Sequence, residues 1–300
     1  LIWKSFIHMC KGQKKAVDGE IPIMIYNPHP YEVISDFEVE FQMAEQNHPD
    51  NGIYDIDIVD ECGRAVSCQL EQEDSAHGMD WRKKAVFYTK AAPMSITRLN
   101  CRLKLNKGFV KVKPYNETNN NIVLENKSLY IEIDKHTGKL NKYICDGINV
   151  INSLDIRVYK DSADPWGMET DAFDEYIGVF KPSRSAIVTE NGDVRTKVQT
   201  FWKYSKSSAV ITYIFSKNSR HLDVNIKMLS GDENIMYKLC INTNLDESCN
   251  AYCQTMFGTE KTRKEGKESV FQKWCAIKDS ENMIAVLNAG TYGGSFKDNE

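Results

Sequence analysis

The chain has 300 residues, a nearly balanced charge of −4 (38 Lys and Arg against 42 Asp and Glu) and nine cysteines. That length buries a large core and suggests two domains. The balance lacks the basic excess of a nucleic-acid or polybasic membrane surface, and no apolar run reaches the roughly 18 residues of a span, so neither nucleic acid nor membrane is expected as a partner.

The first residues carry Trp3, Phe6, Ile7 and Cys10 at helical spacing with no capping residue before them. They read as the tail of a helix ending near Gly12, and the chain as a fragment of a longer protein. After a polar linker the period changes to two. Ile21 to Tyr26 is an apolar run closed by Asn27-Pro-His-Pro30. Within Asp36–Gln42, Phe37, Val39 and Phe41 face away from Glu38, Glu40 and Gln42; Tyr54, Ile56 and Ile58 repeat the pattern before the Glu61-Cys-Gly63 turn. Ala85–Lys90 and Ser95–Leu105 add further β-like runs. Short strands with frequent turn signals predict an antiparallel sandwich.

Lys113 to Asn121 is a Pro/Asn-rich boundary. Beyond it Leu129, Ile131 and Ile133 alternate with polar residues, His136-Thr-Gly138 turns the chain, and Leu140–Tyr143 returns as a hairpin. Val194, Thr196, Val198, Thr200, Trp202 and Tyr204 share one parity. Ala209–Phe215 is apolar on both faces, as in a central strand. Leu222–Met228 alternates, Tyr237, Leu239 and Ile241 continue the apolar parity, and Met283–Leu287 reads as a buried run.

The densest chemistry lies in Val158–Tyr176, VYKDSADPWGMETDAFDEY. Pro165 and Gly167 make it a loop, the usual seat of binding residues. Trp166 beside carboxylates suits a sugar, with an apolar ring for the pyranose face and acceptors for its hydroxyls. The competing reading is an acidic solvated loop whose Trp folds into the core. There is no phosphate loop, GxSxG or HExxH, and the six histidines are isolated. Only Cys249 and Cys253 lie close in sequence, with no second pair to complete a zinc site. Free thiols in a reducing, cytoplasmic compartment are therefore expected.

Four stretches carry a resemblance to a known family. They are IPIMIYNPHP (Ile21–Pro30), NKSLYIEIDKHTGKL (Asn126–Leu140), DSADPWGM (Asp161–Met168), and FGTEKTRKEGKESVFQKWCAI followed by VLNAGTYG (Phe257–Ile277, Val286–Gly293). In this order they resemble the C-terminal β region of the family 38 α-mannosidases; Gly258, Arg263, Glu268, Trp274, Asn288, Tyr292 and Gly293 fall on the family's pattern in the last stretch. The resemblance implies a mainly β fold of two antiparallel sandwiches: a helical tail and linker at 1–18, a small β-sandwich at 19–114, and a super-sandwich resembling galactose mutarotase at 115–300, cut short at its end.

It implies a parent that is a retaining exo-α-mannosidase acting on mannose-containing oligosaccharides. Its nucleophile and its zinc, with the zinc ligands, lie in an N-terminal catalytic domain outside this chain, the partner this region would complete. On that basis Asp164, Trp166 and Arg263 are the expected substrate contacts, and the fragment alone is expected to carry no catalytic residue, no metal and no activity. Strands left without partners would expose edges able to pair with another copy, which leaves room for a homo-oligomer. The competing functions are a free-standing carbohydrate-binding module and, last, a mutarotase-type epimerase. The epimerase needs a paired His and Glu where only His136 and His221 are present.

Overall fold

A computed structural model describes residues 2–73, 80–107, 113–161, 166 and 170–300. Among these, one α-helix, α1 (Ile2–Cys10), precedes a succession of β-strands, so the fold is mainly β. The chain divides into two compact units: 1–115 with 188–197 and 214–222, and 116–187 with 198–213 and 223–300.

In the first unit β1 (Glu20–Asn27), β2 (Val33–Asn47), β3 (Ile53–Asp60), β4 (Ala65–Val66), β5 (Cys68–Glu71), β6 (Asp80–Ala91) and β7 (Ser95–Asn106) form two sheets, ordered β1-β7-β3-β4 and β2-β6-β5. All their pairings are antiparallel. Strand alternation places Ile23, Ile25, Ile56, Ile58, Leu99 and Cys101 of the first sheet in one core with Ala85, Phe87 and Ala91 of the second, and Phe37, Val39 and Phe41 pack against it. Strands β2 and β6 outrun their apolar alternation because their ladder continues past the core to Asn47 opposite Asp80.

Asn27 explains the Asn-Pro closure of β1. It is 3% exposed; its Nδ2 donates to Tyr31 O (2.8 Å) and Ala91 O (3.0 Å), and its Oδ1 accepts from His29 N (3.0 Å). One amide therefore holds the turn after β1 to the end of β6. On the second sheet's other face Arg195 donates to Glu71 and Glu38 at 2.7 Å, and Lys197 pairs with Glu71 at 2.5 Å. The Glu71 side chain is fully enclosed, so its charge persists only because two cations meet it.

In the second unit β8 (Asn116–Thr118), β9 (Asn121–Glu125), β10 (Leu129–Asp134), β11 (Leu140–Cys145), β12 (Ile148–Lys160) and β13 (Tyr176–Val179) lie side by side. Asn119 and Asn120, inside the Pro/Asn-rich stretch, make a two-residue turn at φ 50° and 65° with Thr118 paired to Asn121; asparagine tolerates that left-handed region. Another sheet, whose residues 188–191, 195–197, 214–216 and 222 are counted in the first unit, runs β14 (Lys181–Asn191), β15 (Arg195–Tyr204), β16 (Ser207–Ser216), β17 (Leu222–Leu229), so the doubly apolar β16 is internal, as its sequence predicts. β18 (Ile235–Thr243) pairs along β12.

The remaining strands are β19 (Asn250–Thr255), β20 (Gly258–Thr262), β21 (Glu265–Val270), β22 (Trp274–Lys278), β23 (Met283–Leu287) and β24 (Gly293–Lys297), arranged as β20-β19-β22-β23 and β21-β24. Cys249, Ala251, Cys253, Phe271, Ile277 and Phe296 form their core. All nine cysteines are free thiols.

Two expectations are corrected here. Met283–Leu287 is not a buried run: β23 is an edge strand, its Met283 and Leu287 are exposed, and only its other face reaches the core through Ile284. In β18 the enclosed residues are Cys240 and Thr243, whereas Leu239 is exposed. The reason is that the chain's last segments cross the Cys240 face: Lys238 is held by Glu268 and Ser295, and Asn299 O accepts from Thr243 N (3.1 Å).

Candidate functional site

The connection from β12 to β13 contains the acidic, Trp-bearing stretch. Its roots are fixed by backbone bonds: Lys160 N to Glu175 O (3.0 Å) and Asp161 N to Asn234 O (2.8 Å). Phe173 is buried and anchors the returning half. Tyr176 at the start of β13 packs edge-on against Tyr159 of β12, 6.0 Å between ring centroids.

A second set of bonds fastens this segment to β21. Glu268 N donates to Asp171 O, and Lys267 Nζ to Asp171 Oδ2, both at 2.8 Å. The Lys267 bond holds the Asp171 carboxyl below its ordinary range, and the charge of Arg263 adds to that effect. Beside it Lys238 is bound to Glu268, donates to Ser295 Oγ (3.2 Å) and sits 4.9 Å from the Tyr159 ring centroid. The result is a patch of alternating charge and aromatic surface: Asp171, Arg263, Lys267, Lys238 and Glu268 with Tyr159 and Tyr176.

The three sequence-predicted contacts fall as follows. Trp166 is 96% exposed, so it does not fold into the core. Arg263 lies exposed on the connection from β20 to β21, within electrostatic reach of Asp171. Asp164 lies outside the described residues. Sequence reasoning missed Lys238 and Lys267, because an ion pair between positions as distant as Asp171 and Lys267 has no local signature. Of the resembling positions, Glu268 serves the Lys238 pair, Gly293 lies opposite Val270 in the β21–β24 ladder, and Asn288 caps a turn, donating to Gln272 O (3.1 Å) and accepting from Thr291 N (3.1 Å).

Residues 124–300 match the family described as glycosyl hydrolases family 38, C-terminal domain. The chain belongs to that family. No curated protein matches it. Among solved structures, 94% of the chain aligns with a protein in glycosyl hydrolase family 38 from Enterococcus faecalis (TM-score 0.72, 13% identity). Likewise, 95% aligns with an alpha-mannosidase from Enterococcus faecalis V583 (TM-score 0.69, 12% identity). At that identity the likeness establishes the fold, and the chain spans only 40% and 39% of those two proteins. As for the zinc implied by the family resemblance, no three His, Cys, Asp or Glu among the described residues are grouped to hold a metal. The described residues of this family 38 chain therefore do not fit that ion.

Proposed function

We propose that this chain is the C-terminal region of a cytoplasmic, retaining exo-α-mannosidase, with a helical tail at 1–18, a small sandwich at 19–114 and a super-sandwich at 115–300. In this reading it lends sugar-contacting surface to a catalytic domain elsewhere in the parent, which holds the zinc and the reacting carboxylates. The observation that carries the proposal is the solvent-facing Trp166 on a segment tied to β21 through Asp171. An exposed indole ring offers a pyranose a flat apolar contact, and in this reading Asp171, Arg263 and Lys267 supply acceptors and donors for its hydroxyls. Asp164 completes the proposed contact set. The substrate class is a mannose-containing oligosaccharide.

The test is complementation. This chain alone should not hydrolyse an aryl α-mannoside, and mixing it with the parent's catalytic part should restore turnover. Trp166→Ala should lower kcat/KM by about ten-fold, the scale of one lost stacking contact. A catalytic part that is fully active alone would leave this chain a scaffold and remove Trp166, Asp164 and Arg263 from the site. The exposure of Trp166 also supports a second reading, a stand-alone carbohydrate-binding module. That reading requires calorimetric mannoside binding by this chain by itself, abolished in Trp166→Ala, whereas half a pocket binds little.

A further inference from the structure

Strand β17, with the sequence LDVNIKML, is the outermost strand of its sheet. One side is paired with β16, and among the described residues no strand pairs with the other. A strand so placed presents a row of main-chain donors and acceptors, and such rows are commonly guarded by proline or by charge of one sign. Other edges of this chain are guarded in that way. β1 carries Pro22 and β14 carries Pro182. β2 carries Asp36, Glu38, Glu40 and Glu45 with no Lys or Arg, so two copies of it side by side would set acid near acid. β17 has no proline, and its two charges, Asp223 and Lys227, are of opposite sign.

The order of residues along β17 also suits pairing with itself. Leu222, Val224 and Ile226 are half-buried on one face, and Asp223, Asn225 and Lys227 are exposed on the other. Beyond them Met228 and Leu229 are exposed. An antiparallel copy continues the sheet only where residues of the same face stand opposite each other. The two such registers of greatest overlap are centred on Ile226 and on Asn225. Centring on Ile226 sets Asp223 against Leu229 and Lys227 against Asn225. Centring on Asn225 sets Asp223 of each copy against Lys227 of the other, Val224 against Ile226 and Leu222 against Met228. Opposite charges and apolar pairs directly across a ladder are favourable, so charge selects the second register.

We propose that β17 is a self-association edge, at which two copies of this chain join their sheets antiparallel about a two-fold axis through Asn225. The contact is isologous: each copy gives the same strand, main-chain bonds supply the attachment, and the two Asp223–Lys227 pairs fix the register. It uses none of the residues of the sugar contact proposed above.

The test is sedimentation velocity of the whole chain at concentrations spanning about 5–500 μM. A single strand pair buries less than a standard interface, so the dimer should be weak, with Kd on the order of 10–100 μM. Asp223→Lys sets base against base at both charged pairs, and Lys227→Asp sets acid against acid. Each variant alone should therefore raise Kd by about ten-fold or more. An equimolar mixture of the two variants should recover a dimer of near wild-type strength, because the introduced charges are then complementary. That recovery also excludes misfolding as the cause of the loss. A wild-type chain that stays monomeric across the range, single variants that dimerise as the wild type does, or a mixture that stays monomeric overturns the proposal.

Discussion

The side chain of Asn27 and the hydroxyl of Tyr213 pose the same accounting problem with opposite solutions. Asn27 is enclosed, and its amide serves four backbone groups, those of Tyr31, Ala91, Ala92 and His29. Asn27→Ala strands the Tyr31 and Ala91 carbonyls and the His29 amide, so unfolding free energy should fall by about 2–3 kcal/mol in urea denaturation. Tyr213 is also fully buried, but its hydroxyl has no partner among the described residues, and burial pushes its pKa above the ordinary phenol value. Tyr213→Phe removes an unsatisfied oxygen while keeping the ring. It should leave stability unchanged or raise it by up to about 1 kcal/mol; a loss above that would reveal a bond this geometry does not contain.

Hairpins were the most legible elements. In Asp134-Lys-His-Thr-Gly138 the Asp134 carboxylate accepts from the amides of His136 (3.0 Å) and Thr137 (2.6 Å). Gly138 stands at φ 71°, where a Cβ would come within 2.6 Å of Thr200. Asp at the start and Gly at the end are chemical requirements of the turn itself, so the sequence displays them. The parity of β3, β10 and β15 was legible for the same reason, since one covered face selects apolar residues at every second position. Met283–Leu287 misled because an apolar run does not say whether both faces are covered. Leu239 misled because only the fold shows that the terminal strands cross the Cys240 face. At the candidate site composition singled out the stretch that holds the exposed Trp166, whereas the bond from Lys267 to Asp171 joins elements remote in sequence. That pair is exposed, and exposed pairs contribute little to stability. Lys267→Ala should accordingly leave Tm nearly unchanged. It should nonetheless loosen the segment locally, with hydrogen exchange of the Glu268 amide, which donates to Asp171 O, accelerated about two- to five-fold. Unchanged exchange would show that backbone bonds and Phe173 suffice.

Across the whole molecule, titration sets two limits on stability. Glu38, Glu71, Asp80, Glu132 and Asp134 each face opposing effects, burial raising the pKa and bonds lowering it, and the bonds prevail. For Glu71 the partners are Arg195 and Lys197; for Asp80 they are Lys83, the Tyr54 amide and Asn47. A carboxyl whose folded pKa is lowered binds fewer protons folded than unfolded. Its contribution is complete above the unfolded value, about 4, and is lost as pH falls through the folded one. Glu190 runs the other way: burial and the nearby Glu71 raise its pKa, so it favours the folded state as pH falls. Five groups outweigh one, and stability should decline below about pH 4.5. At the other limit burial pushes the thiols of Cys101 and Cys253 up to about 12, and those of Cys240 and Cys275 to about 11. An unfolded thiol ionises near 8.5, so below that pH these cysteines contribute fully, and their contribution fades as pH rises toward 11–12. Urea midpoints measured from pH 3 to 10 should therefore form a plateau from about pH 5 to 8 with a fall on each side. Replacing Cys101 and Cys253 with Ala should flatten the alkaline fall relative to the plateau and leave the acid one intact. An alkaline limb unaltered by those replacements would assign it to other groups, with tyrosines the next to ionise.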